Sequence, residues 1–457
     1  MAVINSISGM RATLDELSEQ FIRKYAIAFH KFLPTGKIIL GRDGRPSGKW
    51  IEELIINTFE SLGRKVYVLG VVPTPTVQLI VENFQAVGGI IITASHNPHN
   101  WNGLKFLNSD GIFLDAEENK AFWKILEEEQ IDIFSHTKET ADYSINANDF
   151  HINKILEIDF IANQLDNIRS KKYKIVVDAV NASGSKIVVD LLKKFNCEVV
   201  ELFCDGTGIF PHTPEPLPEN LSALANAVKE HNADIGVAVD PDADRLVLID
   251  ENASPIGEER TICLAVQSFF EINPSPTRKV VVNQSTTMLV DFIASMYSAD
   301  VHRTAVGEIN VVSKMREVGA SIGGEGSGGV ILSQCHYGRD SLVGITLVLA
   351  LLAKKDMNLS AIVNTYPQYK MQKIKLDFQG DFQDLGKLLV DKYKNYKISL
   401  IDGIKVYFDN AWVHIRKSNT EPIIRIIGES VNSDDLELRL SDIKQIVNYT
   451  RGLVRGS

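Results

Sequence analysis

The sequence predicts an α/β protein of several domains, three of them built alike and a smaller α+β domain at the C-terminal end. Three observations carry this prediction. The 457 residues exceed what one core accommodates at roughly 150 residues per domain. Apolar, strand-like runs alternate with amphipathic segments, and that alternation restarts twice. From about residue 370 short alternating strands replace it.

In the first unit "KIILGRDGR" reads as a strand and loop, and "WIEELIINTFESLG" as a helix with apolar residues at helical spacing. "KVYVLGVVPTP" is the next strand, ending in a Pro-rich loop, and "TPTVQLIVENFQAV" the next helix. "GGIIITAS" is a strand apolar on both sides, which predicts a sheet covered by helices on each face. After the polar stretch "TKETADYSINANDFHIN", "KYKIVVDAVNASGS", "KIVVDLLKKFN" and "CEVVELFC" repeat strand, helix and strand. "NLSALANAVKEHN" and "ADIGVAVDPDADR" add a helix, a strand and an acidic loop. A third restart follows "ENASPIGEE" and runs to "ASIGGEGSGG". The last unit has strands in "KMQKIKLDFQG", "ISLIDGIKVYFDNAWVHIRKSN" and "IIRIIGES", closed by the helix "SDDLELRLSDIKQIVNYT". The expected divisions are 1–152, 153–255, 256–370 and 371–457.

The chain is 44% hydrophobic and 23% charged, as an ordinary folded protein is. A net charge of −10 without a long basic run argues against a nucleic-acid partner. No apolar stretch approaches the roughly 20 residues needed to cross a bilayer. The start lacks a basic region followed by an apolar core, and "RGLVRGS" reads as a frayed tail. The four cysteines, Cys197, Cys204, Cys263 and Cys335, show no CxxC spacing, so buried thiols in a reducing cytoplasm are expected.

In each of the first three units, the loop after one strand carries unusual residues. "VAVDPDADRLVLID" sets Asp240, Asp242 and Asp244 at alternate positions beyond a strand. Carboxylates that close repel unless a cation joins them, and oxygen ligands at this density suit Mg²⁺. An acidic turn shaped by Pro241 is the plainer reading, but it does not call for three carboxylates and an adjacent Arg245. In "TASHNPHNWNGLK", Ser95 sits at a strand end, where open α/β sheets place ligands. It is a phosphoryl-accepting serine or a Ser/Asn/Pro turn; Lys105 is an acid/base, a charge clamp or a surface lysine. No G-x-S-x-G elbow surrounds Ser95.

"GGEGSGG" offers close backbone approach, with Glu325 and Ser327 two apart and so able to face one side, as two adjacent sugar hydroxyls require. A plain Gly-rich turn is the alternative. "RKSNTEPIIRIIGE" gathers Arg416, Ser418, Asn419, Thr420 and Arg425 into a phosphate cradle or an exposed hairpin. Arg42, Asp43 and Arg45 in "GRDGRPSG", and Arg11, are anion contacts or structural ion pairs.

"TASHNP", "DPDADR", "GEGSG" and "SNTEP", in this order, resemble the α-D-phosphohexomutase superfamily over nearly the whole chain. The resemblance implies a heart-shaped protein of four domains around a central cleft, acting on hexose phosphates as a monomer or homodimer. It implies that Ser95 is the phosphoserine and that its phosphate, with Asp240, Asp242 and Asp244, holds Mg²⁺. Glu325 and Ser327 would read sugar hydroxyls. Arg416, Ser418, Asn419, Thr420 and Arg425 would hold the phosphate not being transferred. Lys105 would be an acid/base, with Arg11, His96 and Arg245 supporting the site. The chain reads GMRAT where many members read GIRG, and GEGSGG where they read GEQSGH or GEMSGH. Glu308 replaces a histidine of some phosphomannomutases. Together with "HYGRD", 336–340 here, this is closer to a branch with phosphoglucosamine and phosphomannose activities. The implied reaction interconverts hexose 6- and 1-phosphates through a 1,6-bisphosphate, with glucosamine phosphate the leading substrate. Mannose or glucose phosphates, a metal-dependent phosphatase and a non-catalytic sugar-phosphate binder are the alternatives.

Overall fold

A computed structural model describes residues 3–128, 141–418 and 423–454. The first unit is a mixed seven-stranded sheet. Its central strand is Gly88–Ile92, and the neighbouring Ile38–Arg42 is parallel to both Gly88–Ile92 and Val66–Val71. The strand alternation divides the core in two. Ile38, Leu40, Ile90 and Ile92 pack with the helices Glu19–Phe32 and Pro46–Ser61 on one face. Ile39 and Ile91 pack with the helix Thr74–Asn83 on the other. Each of these isoleucines is fully buried, which stabilises the fold by about 1.5–3 kcal/mol per side chain.

The second and third units are four-stranded sheets. In the second, Lys174–Asp178, Glu198–Leu202 and Ile235–Val239 are parallel, and Leu246–Ile249 returns antiparallel. In the third, Lys279–Asn283, Asp300–Thr304 and Ile322–Glu325 are parallel, and Gly329–Leu332 returns antiparallel. The first unit follows the same plan: Gly88–Ile92 is followed by the antiparallel strand Trp101–Leu107. The serine, aspartate and glycine-rich loops of the first three units therefore each link a parallel strand to an antiparallel return. That junction points the loop out of the carboxyl end of the sheet.

The second and third units share one apolar core, centred on the helix Ser341–Lys355, which is buried all round. The fourth unit, a five-stranded antiparallel sheet backed by the helices Phe382–Lys392 and Ser433–Val454, has a separate core.

Candidate active site

Ser95 follows the buried strand Gly88–Ile92 with a backbone φ of +51°, left-handed and costing about 1 kcal/mol or more for a residue with a side chain. Three contacts hold it there. Its amide donates to Thr93 Oγ1 at 2.8 Å, and Thr93 donates to Asp43 Oδ2 at 2.6 Å. Its carbonyl accepts from Arg45 Nη2 at 2.6 Å. Arg45, wholly buried, also donates to the carbonyls of Asn97, Pro98 and Trp101, and its Nε pairs with Asp43 at 2.9 Å. Of the two sequence readings, Arg45 and Asp43 are thus structural: they brace the serine loop. Arg42 pairs with Glu52 at 3.3 Å.

Asp240, Asp242 and Asp244 leave the strand Ile235–Val239 and lie fully buried beneath Ser95, whose Oγ is 3.4 Å from Asp240 Oδ2. Their carboxylates gather within metal-ligand reach of one another. Burial, then the charges of Asp244 and Asp242, push Asp240 well above the usual carboxylate range. Burial acts the same way on Asp242, but Lys105 Nζ at 2.6 Å and Thr74 Oγ1 at 2.8 Å outweigh it and hold Asp242 below that range. Lys105 also lies 3.5 Å from Asp244. Oδ1 of Asp242 and Oδ1 of Asp244 are buried without a hydrogen-bond partner among the described residues. An all-oxygen set with two orphaned buried oxygens fits a hard divalent cation.

Beside this floor opens a cleft of about 670 Å³, lined by all four units. Arg11, His96 and Lys105 come from the first, Arg245 from the second, Glu325 and Ser327 from the third, Arg416 and Arg425 from the fourth. Arg11 Nη1 donates to Asn97 Oδ1 at 3.0 Å, fixing the loop's outer side. Burial, then Arg245 and Arg11, push His96 well below its ordinary value, leaving a neutral imidazole 3.3 Å from Ser95 Oγ. Arg416 and Arg425 are partners across the strands Ala411–Lys417 and Ile423–Ser430, so two guanidinium groups share one end of the sheet. Ser418 is buried beside them, and Asn419 and Thr420 lie outside the described residues.

Glu325 ends its strand, and Ser327 is in the turn that follows. Glu325 Oε1 accepts from Asn283 Nδ2 at 2.8 Å and the Gly307 amide at 2.9 Å, and Oε2 from Arg339 at 2.7 Å. Burial works to raise its pKa; Arg339 and these hydrogen bonds reverse that and keep it ionised. Sequence reasoning passed over Arg339, which also donates to Asp244 Oδ2 at 2.6 Å and Glu308 Oε2 at 3.1 Å. Its one local signal is an arginine beside the aspartate that caps the helix Ser341–Lys355.

Models for the phosphoglucomutase/phosphomannomutase alpha/beta/alpha domains I, II and III and C-terminal domain match residues 5–132, 149–255, 258–369 and 373–443. A phosphoglucomutase/phosphomannomutase of Thermococcus kodakarensis is 34% identical, over 92% of each chain. A phosphoglucosamine/phosphogalactosamine mutase of Sulfurisphaera tokodaii is 28% identical, over 98% of this chain and 99% of its own. In fold, the chain matches a phosphoglucomutase/phosphomannomutase family protein of Burkholderia thailandensis at a TM-score of 0.82. That match covers 98% of each chain at 24% identity. Among the described residues no helix is long and apolar enough to cross a membrane. The chain belongs to the phosphoglucomutase/phosphomannomutase family, metal-dependent phosphohexomutases that act on hexose phosphates.

Proposed function

We propose that the enzyme interconverts glucosamine 6-phosphate and glucosamine 1-phosphate through a phosphorylated Ser95. The observation that carries this reading is Ser95 Oγ held 3.4 Å from the buried aspartate cluster, beside a cleft that its neighbours His96 and Lys105 line together with Arg416 and Arg425. The bond between phosphorus and Ser95 Oγ breaks, and a bond to the free sugar hydroxyl forms. Lys105 serves as the acid/base, the hydroxyl proton leaving the sugar and a proton returning to Ser95 Oγ. The resulting 1,6-bisphosphate turns over in the cleft and returns its other phosphoryl group to Ser95. Mg²⁺, held by the three aspartates and the serine phosphate, would neutralise charge on the group in flight.

Glu325 and Ser327 fix the sugar by its hydroxyls. Arg416, Arg425, Ser418 and the neighbouring Asn419 and Thr420 hold the phosphate at rest, while Arg11, His96 and Arg245 position the serine loop and the transferring group. The fourth unit, with its own core, is suited to close over bound substrate and exclude water from the phosphoserine. The name of the Sulfurisphaera tokodaii relative, a phosphoglucosamine/phosphogalactosamine mutase, favours an amino sugar. A second reading, a mannose or glucose phosphate mutase, is favoured by the name of the 34% identical relative. The reaction is assigned to the cytoplasm.

A coupled assay with glucosamine, mannose and glucose phosphates tests the substrate, with inorganic phosphate measured alongside. Phosphate release without isomerisation would make the enzyme a phosphatase. Ser95→Ala is expected to lose isomerisation almost entirely.

A further inference from the structure

Away from the cleft, four potential metal donors converge where three units meet. His151 comes from the helix Ala147–Leu156, and Cys335, His336 and Asp340 from the segment between Gly329–Leu332 and Ser341–Lys355. All four side chains are buried, at 0, 4, 3 and 0% exposure, and one donor atom of each lies within 4.8 Å of the others. Both imidazole Nε2 atoms approach the same oxygen, Asp340 Oδ2, at 2.8 Å for His151 and 3.2 Å for His336.

We propose that His151, Cys335, His336 and Asp340 form a second metal site, for a borderline divalent cation of the Zn²⁺ class. Two imidazoles, a thiolate and a carboxylate are a donor set that zinc accepts and that magnesium does not select. The charges balance, since one thiolate and one carboxylate neutralise a dication in a dry site.

Two further features point to a ligand. The Cys335 thiol faces this cluster and makes no hydrogen bond among the described residues, whereas Cys197, Cys204 and Cys263 each donate to a backbone carbonyl. The outer contacts are those that orient ligands. Thr76 Oγ1 lies 2.8 Å from His151 Nδ1, and Asp340 Oδ1 accepts from the Leu342 and Val343 amides, leaving Oδ2 for the site. Through Thr76, His151 and Asp340 the cation would tie the first three units together, one residue from Arg339.

The full-length protein, produced with zinc and dialysed into chelator-free buffer containing excess Mg²⁺, is expected to keep about one zinc ion per chain. Its Co²⁺ form is expected to show a sulfur-to-cobalt charge-transfer band. That band should be absent from Cys335→Ser and present in Asp242→Asn, because the aspartate cluster offers oxygen alone. Absence of the band in the folded wild-type protein, with no more zinc than a Cys335→Ser/His336→Asn double variant holds, would overturn the proposal. The cluster would then be a proton-held network. The wild-type spectrum decides the matter even if the variants do not fold.

Discussion

Arg339 Nη2 donates to Asp244 Oδ2 at 2.6 Å, and its Nη1 donates to Glu325 Oε2 at 2.7 Å, joining the aspartate loop of the second unit to the glycine-rich loop of the third. The same guanidinium holds Glu325 and Glu308, so three buried carboxylates depend on one cation. Burial works to lower the Arg339 pKa, but the charges of Asp244, Glu325 and Glu308 outweigh it and drive it well above its ordinary value. Replacing Arg339 by Met removes the ion-pair partner of Glu325 and Glu308 and leaves Asp244 only its longer contacts with Lys105 and Arg245, at a cost of about 3–5 kcal/mol. Turnover is expected to fall on the order of a hundredfold as the loops lose register. Arg339→Lys supplies charge without the three-way fork and should restore stability better than turnover. Denaturant midpoints and kcat, measured together, separate the two effects. Equal recovery of both in Arg339→Lys would show that charge alone matters.

Arg45 is expected to act on catalysis only through the serine loop. It touches four carbonyls of that loop and reaches no cleft position. Arg45→Lys cannot satisfy four carbonyls and Asp43 at once, so Ser95 should relax from its left-handed backbone conformation. The expected signature is a fall in kcat of about tenfold to a hundredfold with little change in KM. A rise in KM at constant kcat would place Arg45 in substrate binding instead.

How far the sequence led differs from residue to residue. Asp240–Asp244 and Ser95 were legible because short-range pattern sets them: each follows an apolar strand and breaks its hydrophobic run with polar residues. Trp101–Leu107, by contrast, reads as the tail of an Asn- and Pro-rich loop, yet it is a strand that carries Lys105 to Asp242. The helix Ser341–Lys355 shows no amphipathic period because every side of it is buried. Arg339 was passed over because its partner Asp244 is 95 positions away, beyond any local pattern. The unusual Gly326 has a similarly distant cause: a Cβ there would lie 1.9 Å from Glu259 Oε2.

Metal binding should register as stability, because the cluster holds unpartnered oxygens that a cation would satisfy. Mg²⁺ at a hundred times its Kd is expected to stabilise the wild-type protein by about 2.7 kcal/mol. Asp242→Asn should lose most of that increment and release Lys105 from its 2.6 Å contact. Thermal unfolding with and without Mg²⁺ provides the measurement. An undiminished increment in Asp242→Asn would remove Asp242 from the ligand set.

Glu259 gives a pH dependence of unusual sign. It accepts from the Thr287 amide at 3.0 Å, lies 3.1 Å from Lys373, and fills the space beside Gly326. Burial raises its pKa to about 7 from an ordinary 4.5; Lys373 opposes this, while Glu258 and Glu429 add to it. Between those two values the folded protein holds a proton that the unfolded chain has lost, so stability falls as pH rises through the interval. At about 1.4 kcal/mol per pKa unit, the loss is at most about 3.5 kcal/mol. Glu259→Gln should flatten this part of the profile and make the variant relatively more stable at pH 7.5 than at pH 5. Denaturant midpoints of both proteins between those pH values test it. A parallel profile in the variant would show that other groups govern the interval.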